Sequence, residues 1–183
     1  MSGYFILACV PLFGVIFQDF KSRQIYWFWP PLLFTVFFME SYQRLSLNEL
    51  FQNIGINTLF IVVNLLMVSL YFSAKERQWI NIFKQHFGLG DFLFFLAITP
   101  VFSPLNFVLF FVISLILIGL LHAILITFGQ LAITTVPLAG WLSVLLIIAL
   151  LLNDFLFNIN PLNDDLLINY IYFGAHNRDN PFY

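Results

Sequence analysis

Charged residues are scarce in this chain. Only 9% of its 183 residues are Asp, Glu, Lys or Arg, whereas a soluble domain carries about 25%. The formal net charge of −2 gives no reason to expect a nucleic-acid partner. By contrast, 61% of the residues are hydrophobic, and Phe alone occurs 25 times. A water-soluble chain of this length could not bury so much apolar surface, so the composition predicts a polytopic integral membrane protein.

Cysteine occurs once, at Cys9. A single cysteine excludes an internal disulfide and a zinc site built from several cysteines. The stretch Ile6-Leu7-Ala8-Cys9 faintly resembles a lipoprotein cleavage site, but no Lys or Arg precedes Lys21, and a secretory signal needs a basic start. We therefore predict that residues 1–18 form a retained first span, with Cys9 as an apolar side chain within it.

Apolar runs follow one another along the chain, and most of them approach the length of about 20 residues that a helix needs to cross a bilayer, whereas 27–39 and 91–102 are shorter. Polar segments or prolines separate them, and the segment 40–53 is predicted to be a polar connection. The predicted spans are approximately 2–18, 27–39, 54–73, 91–102, 105–128 and 132–152. The expected fold is an all-α integral membrane protein. Its bundle of about six transmembrane helices covers residues 1–152, and a tail of residues 153–183 follows.

Basic residues predict the orientation, because Lys and Arg in short loops favour the cytoplasmic side of a membrane. With six spans, five of the seven basic residues lie on one side: Lys21, Arg23, Lys75, Arg77 and Lys84. Arg44 and Arg178 lie on the other side. We therefore expect a multi-pass protein of the cytoplasmic (inner) membrane, with the first side in the cytoplasm and both termini outside. The segment 162–173 of the tail would then lie along the outer interface.

This topology brings two acidic residues to span ends on the cytoplasmic side. Asp19 closes the first span and Asp91 opens the fourth, so the two can meet in a helical bundle. Two carboxyls brought together near lipid cannot both ionise cheaply, and one is expected to keep its proton. The neutral acid can polarise a peptide carbonyl while the carboxylate activates water. This acid–base chemistry is that of aspartyl proteolysis, and it needs neither a metal nor another cofactor.

A purely structural interpretation competes with this one. Asp19 can end a helix near headgroup water and pair with Lys21 or Arg23, and Asp91 can be a first-turn residue favoured by the helix dipole. Lys21 and Arg23 can hold the carboxylate pair or an acidic group of a substrate, or they can be positive-inside anchors. His86 can tune the carboxyl of Asp91, although a solvated loop position is the simpler interpretation.

Polar side chains also occur inside the predicted spans, where contact with lipid is costly. We expect Asn57, Asn64 and Ser114 to form hydrogen bonds between helices, and His122 in the fifth span to form one inside the bundle.

Local sequence strengthens the chemical interpretation of the two aspartates. Gly88-Leu89-Gly90-Asp91 is a G-x-G-D sequence, and its glycines remove side-chain bulk so that an extended backbone can approach the carboxyl. The segment from Asp19 to Ile25 supplies a second element, an aspartate at a span end followed by alternating basic residues and Ile.

With these two motifs the chain resembles the type IV prepilin peptidases, a family of G-x-G-D membrane aspartyl peptidases. The resemblance covers roughly residues 1–152 and implies that Asp19 and Asp91 are the catalytic pair. Supporting motif positions are Gly88, Gly90, Lys21, Arg23 and Pro137. Pro137 belongs to a looser match, Val136 to Trp141, which is similar to a Pro-Phe-Gly-Pro-like element in the last span of that family.

Departures from the family pattern concern mainly the substrate. Tyr26-Trp27 follow Ile25 where the family often has Pro-Asn, and Leu93 stands where a Lys is common. The single cysteine means that the cysteine-rich segment of many bacterial members is absent, so the chain resembles the short, peptidase-only form. The resemblance implies a prepilin-like substrate whose short basic leader is cleaved after Gly, just before a hydrophobic helix, at the cytoplasmic face of the bilayer.

A non-enzymatic function is the alternative. The chain would then be a small transporter or an assembly subunit, and Asp19 and Asp91 would serve as proton or cation sites or only as helix ends. A deep hydrated path or widely separated carboxyls would favour this alternative.

Overall fold

The fold of the described part of the chain is entirely helical. The computed structural model describes residues 3–77, 88–128, 136–152, 161–162, 164 and 168. Within these residues the α-helices are α1 Gly3–Ser22, α2 Trp29–Tyr42, α3 Leu47–Glu76, α4 Leu89–Ile98, α5 Pro104–Thr127 and α6 Leu138–Leu152. A 3-10 turn, Thr99–Val101, continues α4. This confirms the predicted all-α class. His86 lies outside the described residues.

The helices fall into two length classes. By length and composition α1, α3 and α5 can each cross a membrane. The other three, α2, α4 and α6, have 14, 10 and 15 residues, fewer than the approximately 17 that a span requires. The predicted last span began at 132, and residues 129–135 lie outside the described part. The described residues therefore contain three helices of spanning length, and the count of six spans stays a prediction.

The start of α3 corrects the predicted polar connection over 40–53. That prediction is wrong for residues 40–42, which belong to α2, and for residues 47–53, because α3 already begins at Leu47. Ser46 and Glu49 form a capping box, in which the Ser46 hydroxyl accepts from the Glu49 N–H at 3.4 Å and the Glu49 carboxylate accepts from the Ser46 N–H at 3.0 Å. These bonds satisfy donors that a helix start leaves free, so the polar residues that follow enter the helix.

Four helices form the centre of the bundle. α1 packs against α2 and α6, and α4 packs against the same two neighbours. Their fully buried side chains include Leu12, Val15, Leu33, Phe37, Phe94, Ile98, Leu142 and Leu146. α3 and α5 lie outside this centre, with only 11% of their apolar stretches buried in the protein. Their exposed faces are apolar, which suits contact with lipid.

The C-terminal end of α4 is joined to α2 and α3 by side-chain hydrogen bonds. The Ser41 hydroxyl donates to the Pro100 carbonyl at 2.7 Å, and the Asn57 amide donates to the carbonyls of Thr99 and Phe102 at 3.0 and 2.9 Å. The last carbonyls of a helix have no partner within it, so these donors satisfy groups that would otherwise be buried and unpaired.

The three polar side chains that were expected to form hydrogen bonds between helices differ in outcome. The expectation of an interhelical hydrogen bond is confirmed for Asn57. For Asn64 the observed bond lies within α3, because its amide donates to the Phe60 carbonyl one turn earlier at 2.8 Å. Ser114 is buried on α5.

The described residues of the tail bind the start of α5. The Pro161 carbonyl accepts from the Ser103 N–H at 2.9 Å, and the Asp164 carboxylate accepts from the Ser103 hydroxyl and from the Leu105 N–H. A carboxylate at a helix N-terminus is favourable, so Asp164 caps α5. Except for residues 162, 164 and 168, the segment predicted to lie along the outer interface falls outside the described residues.

Candidate functional site: two aspartates at one helix start

Asp19 lies in the last turn of α1 and is only 6% exposed. Its Oδ2 accepts a hydrogen bond from the backbone N–H of Gly140 at 2.6 Å. Gly140 is the third residue of α6, so its N–H is one of the donors that have no partner within the helix. A carboxyl from the end of one helix thus binds the start of another.

Asp91 binds the same helix start. It is the third residue of α4, and its Oδ1 accepts from the backbone N–H of Ala139 at 2.9 Å. The backbone N–H of Gly88, the residue before α4, also donates to this carboxyl. Asp91 therefore caps its own helix and α6 together, which fixes the carboxyl between two helix starts.

The two carboxyls lie next to each other because their donors are consecutive residues. Two hydrogen bonds and one step of backbone connect the bonded oxygens of Asp19 and Asp91, so at most about 9 Å can separate them. The charge of Asp19 also acts directly on Asp91. A peptide group and one water molecule fit within such a separation, as acid–base catalysis requires.

Positive charge is supplied to this pair from two directions. The N-terminal end of α6 carries the positive end of the helix dipole, which favours an anion bound to its free N–H groups. The guanidinium of Arg23 also acts on Asp19. These groups stabilise negative charge on the pair, but two adjacent carboxylates still repel each other. A single proton held by the pair relieves that repulsion and leaves one acid beside one base.

Gly88 and Gly140 leave the space that the carboxyls occupy. A Cβ added at Gly88 would lie 2.8 Å from the Asp91 Oδ2, and a Cβ at Gly140 would lie 3.2 Å from the Asp19 Oδ2 and 2.9 Å from the Phe20 ring. The sequence suggested that the first G-x-G-D glycine admits a substrate backbone. In the structure, the absence of a side chain at Gly88 makes room for the carboxyl of Asp91 itself.

Gly90 faces a different neighbour. A Cβ added there would lie 3.1 Å from the Cδ1 of Ile25, in the loop between α1 and α2. The two sequence motifs, one ending at Ile25 and the other at Asp91, are therefore in contact.

The two basic motif residues differ in their placement. Lys21 is exposed, and its Nζ lies 5.3 Å from the centre of the Phe17 ring. In the described part of the chain no ion pair joins Lys21 to either carboxyl. Arg23 follows the end of α1, donates its backbone N–H to the Asp19 carbonyl at 3.1 Å, and acts electrostatically on the Asp19 carboxyl. Of the two, Arg23 is the residue associated with the pair.

Pro137 is buried directly before α6, and its carbonyl accepts from the Trp141 N–H at 3.1 Å in the first turn. The residues that bind the carboxyls are the next ones, Ala139 and Gly140, and sequence reasoning did not single out their backbone. Backbone donors have no side-chain signature. The one signal in the sequence is Gly140 itself, a glycine three residues after Pro137, at a position where a helix can begin.

Neither a metal cluster nor a known relative adds to this description. Among the described residues, no group of three or more His, Cys, Asp or Glu side chains is placed to hold a metal ion. No protein-family model, curated protein or solved structure matches the chain. The likeness to prepilin peptidases therefore depends on the motif residues alone.

Proposed function

We propose that this protein is a membrane aspartyl endopeptidase that uses Asp19 and Asp91 as its acid–base pair. The observation that supports this proposal is their convergence on the consecutive N–H groups of Ala139 and Gly140. One carboxylate suffices to cap a helix start. A second carboxyl from another helix, placed beside the first, adds repulsion that structural capping does not require, whereas peptide hydrolysis does require two such groups.

Hydrolysis by this pair proceeds through one shared proton. The protonated carboxyl donates to the carbonyl oxygen of the scissile peptide while the carboxylate takes a proton from a water molecule. The water oxygen attacks the carbonyl carbon and gives a tetrahedral intermediate. The carboxyl that now holds the proton gives it to the leaving nitrogen, and the other carboxylate takes a proton from a hydroxyl of the intermediate. The C–N bond breaks, the new carboxyl group of the leader forms, and the pair again holds one proton. Because the groups are coupled, this proton belongs to the pair.

The proposed substrates resemble prepilins, with a short leader before a hydrophobic helix. Apolar side chains near the pair are exposed, with Leu89 at 59% and Phe20 at 42%. These groups suit a substrate that enters partly from the bilayer. The leader would reach Asp19 and Asp91 from the predicted cytoplasmic side while the hydrophobic helix stays in lipid, and the products would be the free leader and the mature subunit.

Co-expression with a prepilin tests this proposal. Asp19→Asn and Asp91→Asn should each reduce leader removal on the order of 10²-fold or more, because the pair loses either its acid or its base. Glu76→Gln at the end of α3 is the matched control and should process normally. Normal processing by both Asn variants would reject the mechanism and favour the alternative of a transporter or assembly subunit.

A further inference from the structure

The loop between α1 and α2 is tied back onto the residue that precedes Asp19. The Gln18 Oε1 accepts from the backbone N–H of Tyr26 at 2.9 Å, and the Ser22 hydroxyl donates to the Gln18 carbonyl at 2.9 Å. Arg23 has φ 55, the left-handed conformation that reverses a chain at a helix end. The loop therefore has a defined path, fixed from the helix that carries the first aspartate.

That path places Ile25 against the residue that precedes Asp91. The space where a Cβ would stand on Gly90 is 3.1 Å from the Ile25 Cδ1 and 3.4 Å from its Cβ and Cγ1. Ile25 also packs against the buried core. Gly90 lies in the first turn of α4, so a helical glycine is in contact with a branched side chain from another segment.

This contact matters because the two helices that carry the aspartates have little direct contact. α1 and α4 each pack mainly against α2 and α6. The carboxyls are connected through the start of α6 on one side and through the Ile25–Gly90 contact on the other. Gly90 directly precedes Asp91, and Gln18, which directly precedes Asp19, binds the N–H of Tyr26 next to Ile25.

We propose that Ile25 and Gly90 are positioning residues that set the spacing between the carboxyls of Asp19 and Asp91, with Gln18 holding the loop in place. The catalytic consequence rests on the proposed peptidase function, whereas the spacing itself does not. The second glycine of the G-x-G-D sequence therefore leaves room for Ile25 of the first loop, and a Cβ at position 90, 3.1 Å from the Ile25 Cδ1, requires Ile25 or the start of α4 to give way.

A pair of substitutions tests the contact. Gly90→Ala should lower prepilin cleavage on the order of ten- to a hundred-fold, because small displacements of a catalytic group have effects of that size. Ile25→Val removes the Cδ1, the nearest atom, and should restore most of the cleavage in the Gly90→Ala background. Alanine has a better helix propensity than glycine, so Gly90→Ala alone should stabilise α4. A loss of cleavage in this variant therefore cannot come from a weaker helix.

Gly55→Ala and Gly119→Ala are the matched controls. Nothing lies within 4 Å of a Cβ added at either position, so both variants should cleave at the wild-type rate. Gln18→Ala is a second probe that adds no bulk and should lower cleavage in the same direction by releasing the loop. It keeps the proposal testable if Gly90→Ala folds poorly.

A spectroscopic measurement separates the spacing from the peptidase function. Difference infrared spectra across a pH series follow the C=O band of the protonated carboxyl, which Asp19→Asn and Asp91→Asn assign to the pair. Gly90→Ala and Gln18→Ala should move the midpoint of this band, and Ile25→Val should return the midpoint in the Gly90→Ala background. A destabilised fold with unchanged spacing would lose amplitude without such a recovery.

The outcomes are distinct. A midpoint that stays in place in both Gly90→Ala and Gln18→Ala overturns the positioning role, whatever happens to cleavage. If the midpoint moves in Gly90→Ala and returns when Ile25→Val is added, the positioning role is supported. If the wild-type protein at the same time cleaves no prepilin, the proposed function is rejected. Loss of cleavage together with a recoverable shift supports both.

Discussion

The two ends of α4 are both bound by neighbouring helices, but by opposite chemistry. At its C-terminal end, the neutral donors Ser41 and Asn57 satisfy carbonyls that the helix leaves free. At its N-terminal end, Asp91 and the neighbouring Asp19 accept from the free N–H groups of α6. The first arrangement satisfies polar groups without introducing charge, so it suits stability alone. The second brings like charges together, and acid–base chemistry explains that arrangement better than stability does.

The largest expected effect is a loss of cleavage from a substitution at the N-terminal end of α4. Gly88→Ala places a Cβ 2.8 Å from the Asp91 Oδ2, so the carboxyl must shift, which disturbs the bond that its Oδ1 accepts from the Ala139 N–H. We expect cleavage of a prepilin to fall on the order of 10²-fold. Steady-state cleavage by the purified protein in detergent measures the effect, with Gly119→Ala as the control. Equal rates for the two variants would contradict the placement of Asp91.

Gly140→Ala should have a smaller effect at the same end. The added Cβ meets the ring of Phe20 at 2.9 Å and the Asp19 Oδ2 at 3.2 Å, and Phe20 is 42% exposed, so its ring has room to move. We expect a loss of cleavage of about tenfold. Phe20→Leu in the same background should recover part of this loss. A double variant no better than Gly140→Ala would show that Phe20 does not transmit the effect.

Substitutions at the C-terminal end of α4 should lower the free energy of unfolding and leave the rate of cleavage unchanged. Asn57→Ala removes a donor to two buried carbonyls, at a cost of about 2–4 kcal/mol in the free energy of unfolding. Ser41→Ala removes one donor and should cost about 1–2 kcal/mol. Thermal unfolding in detergent compares these variants with Asp91→Asn. Cleavage per folded molecule should stay near the wild-type value for both, and a large loss would remove the distinction between the ends.

The start of α3 provides the smallest effect. Ser46→Ala removes one half of the capping box and should lower stability by about 1 kcal/mol without changing cleavage. Glu49→Gln should be milder because an amide oxygen still accepts from the Ser46 N–H. Unchanged stability in Ser46→Ala would show that packing of the later turns determines where α3 begins.

Parts of this arrangement were predictable from the sequence. Composition predicted the helical class, and the placement of Asp19 and Asp91 at span ends predicted that they could meet. The first turn of α3 was missed because hydropathy does not detect a capping box. The Ser46-x-x-Glu49 spacing is nevertheless a sequence signature of a helix start. Ala139 and Gly140 were missed as ligands of the carboxyls because they act through backbone N–H groups, which every residue other than proline carries.

The contact between Gly90 and Ile25 shows a different limit. Both residues belong to motifs visible in the sequence, but the residues between them number more than sixty, and no local pattern records that they touch. Steric complementarity between distant segments becomes visible only when the helices are packed. The same holds for Asn57, whose partners at Thr99 and Phe102 lie at the break after α4.

Cleavage by purified wild-type protein, Asp19→Asn, Asp91→Asn and the double Asn variant tests the central claim most directly. If the two carboxyls act as one acid–base unit, each single substitution removes nearly all the catalysis, and the double variant is no slower than the worse single variant. Losses that multiply in the double variant would instead show two independent contributions. Wild-type rates in both single variants would contradict the account outright.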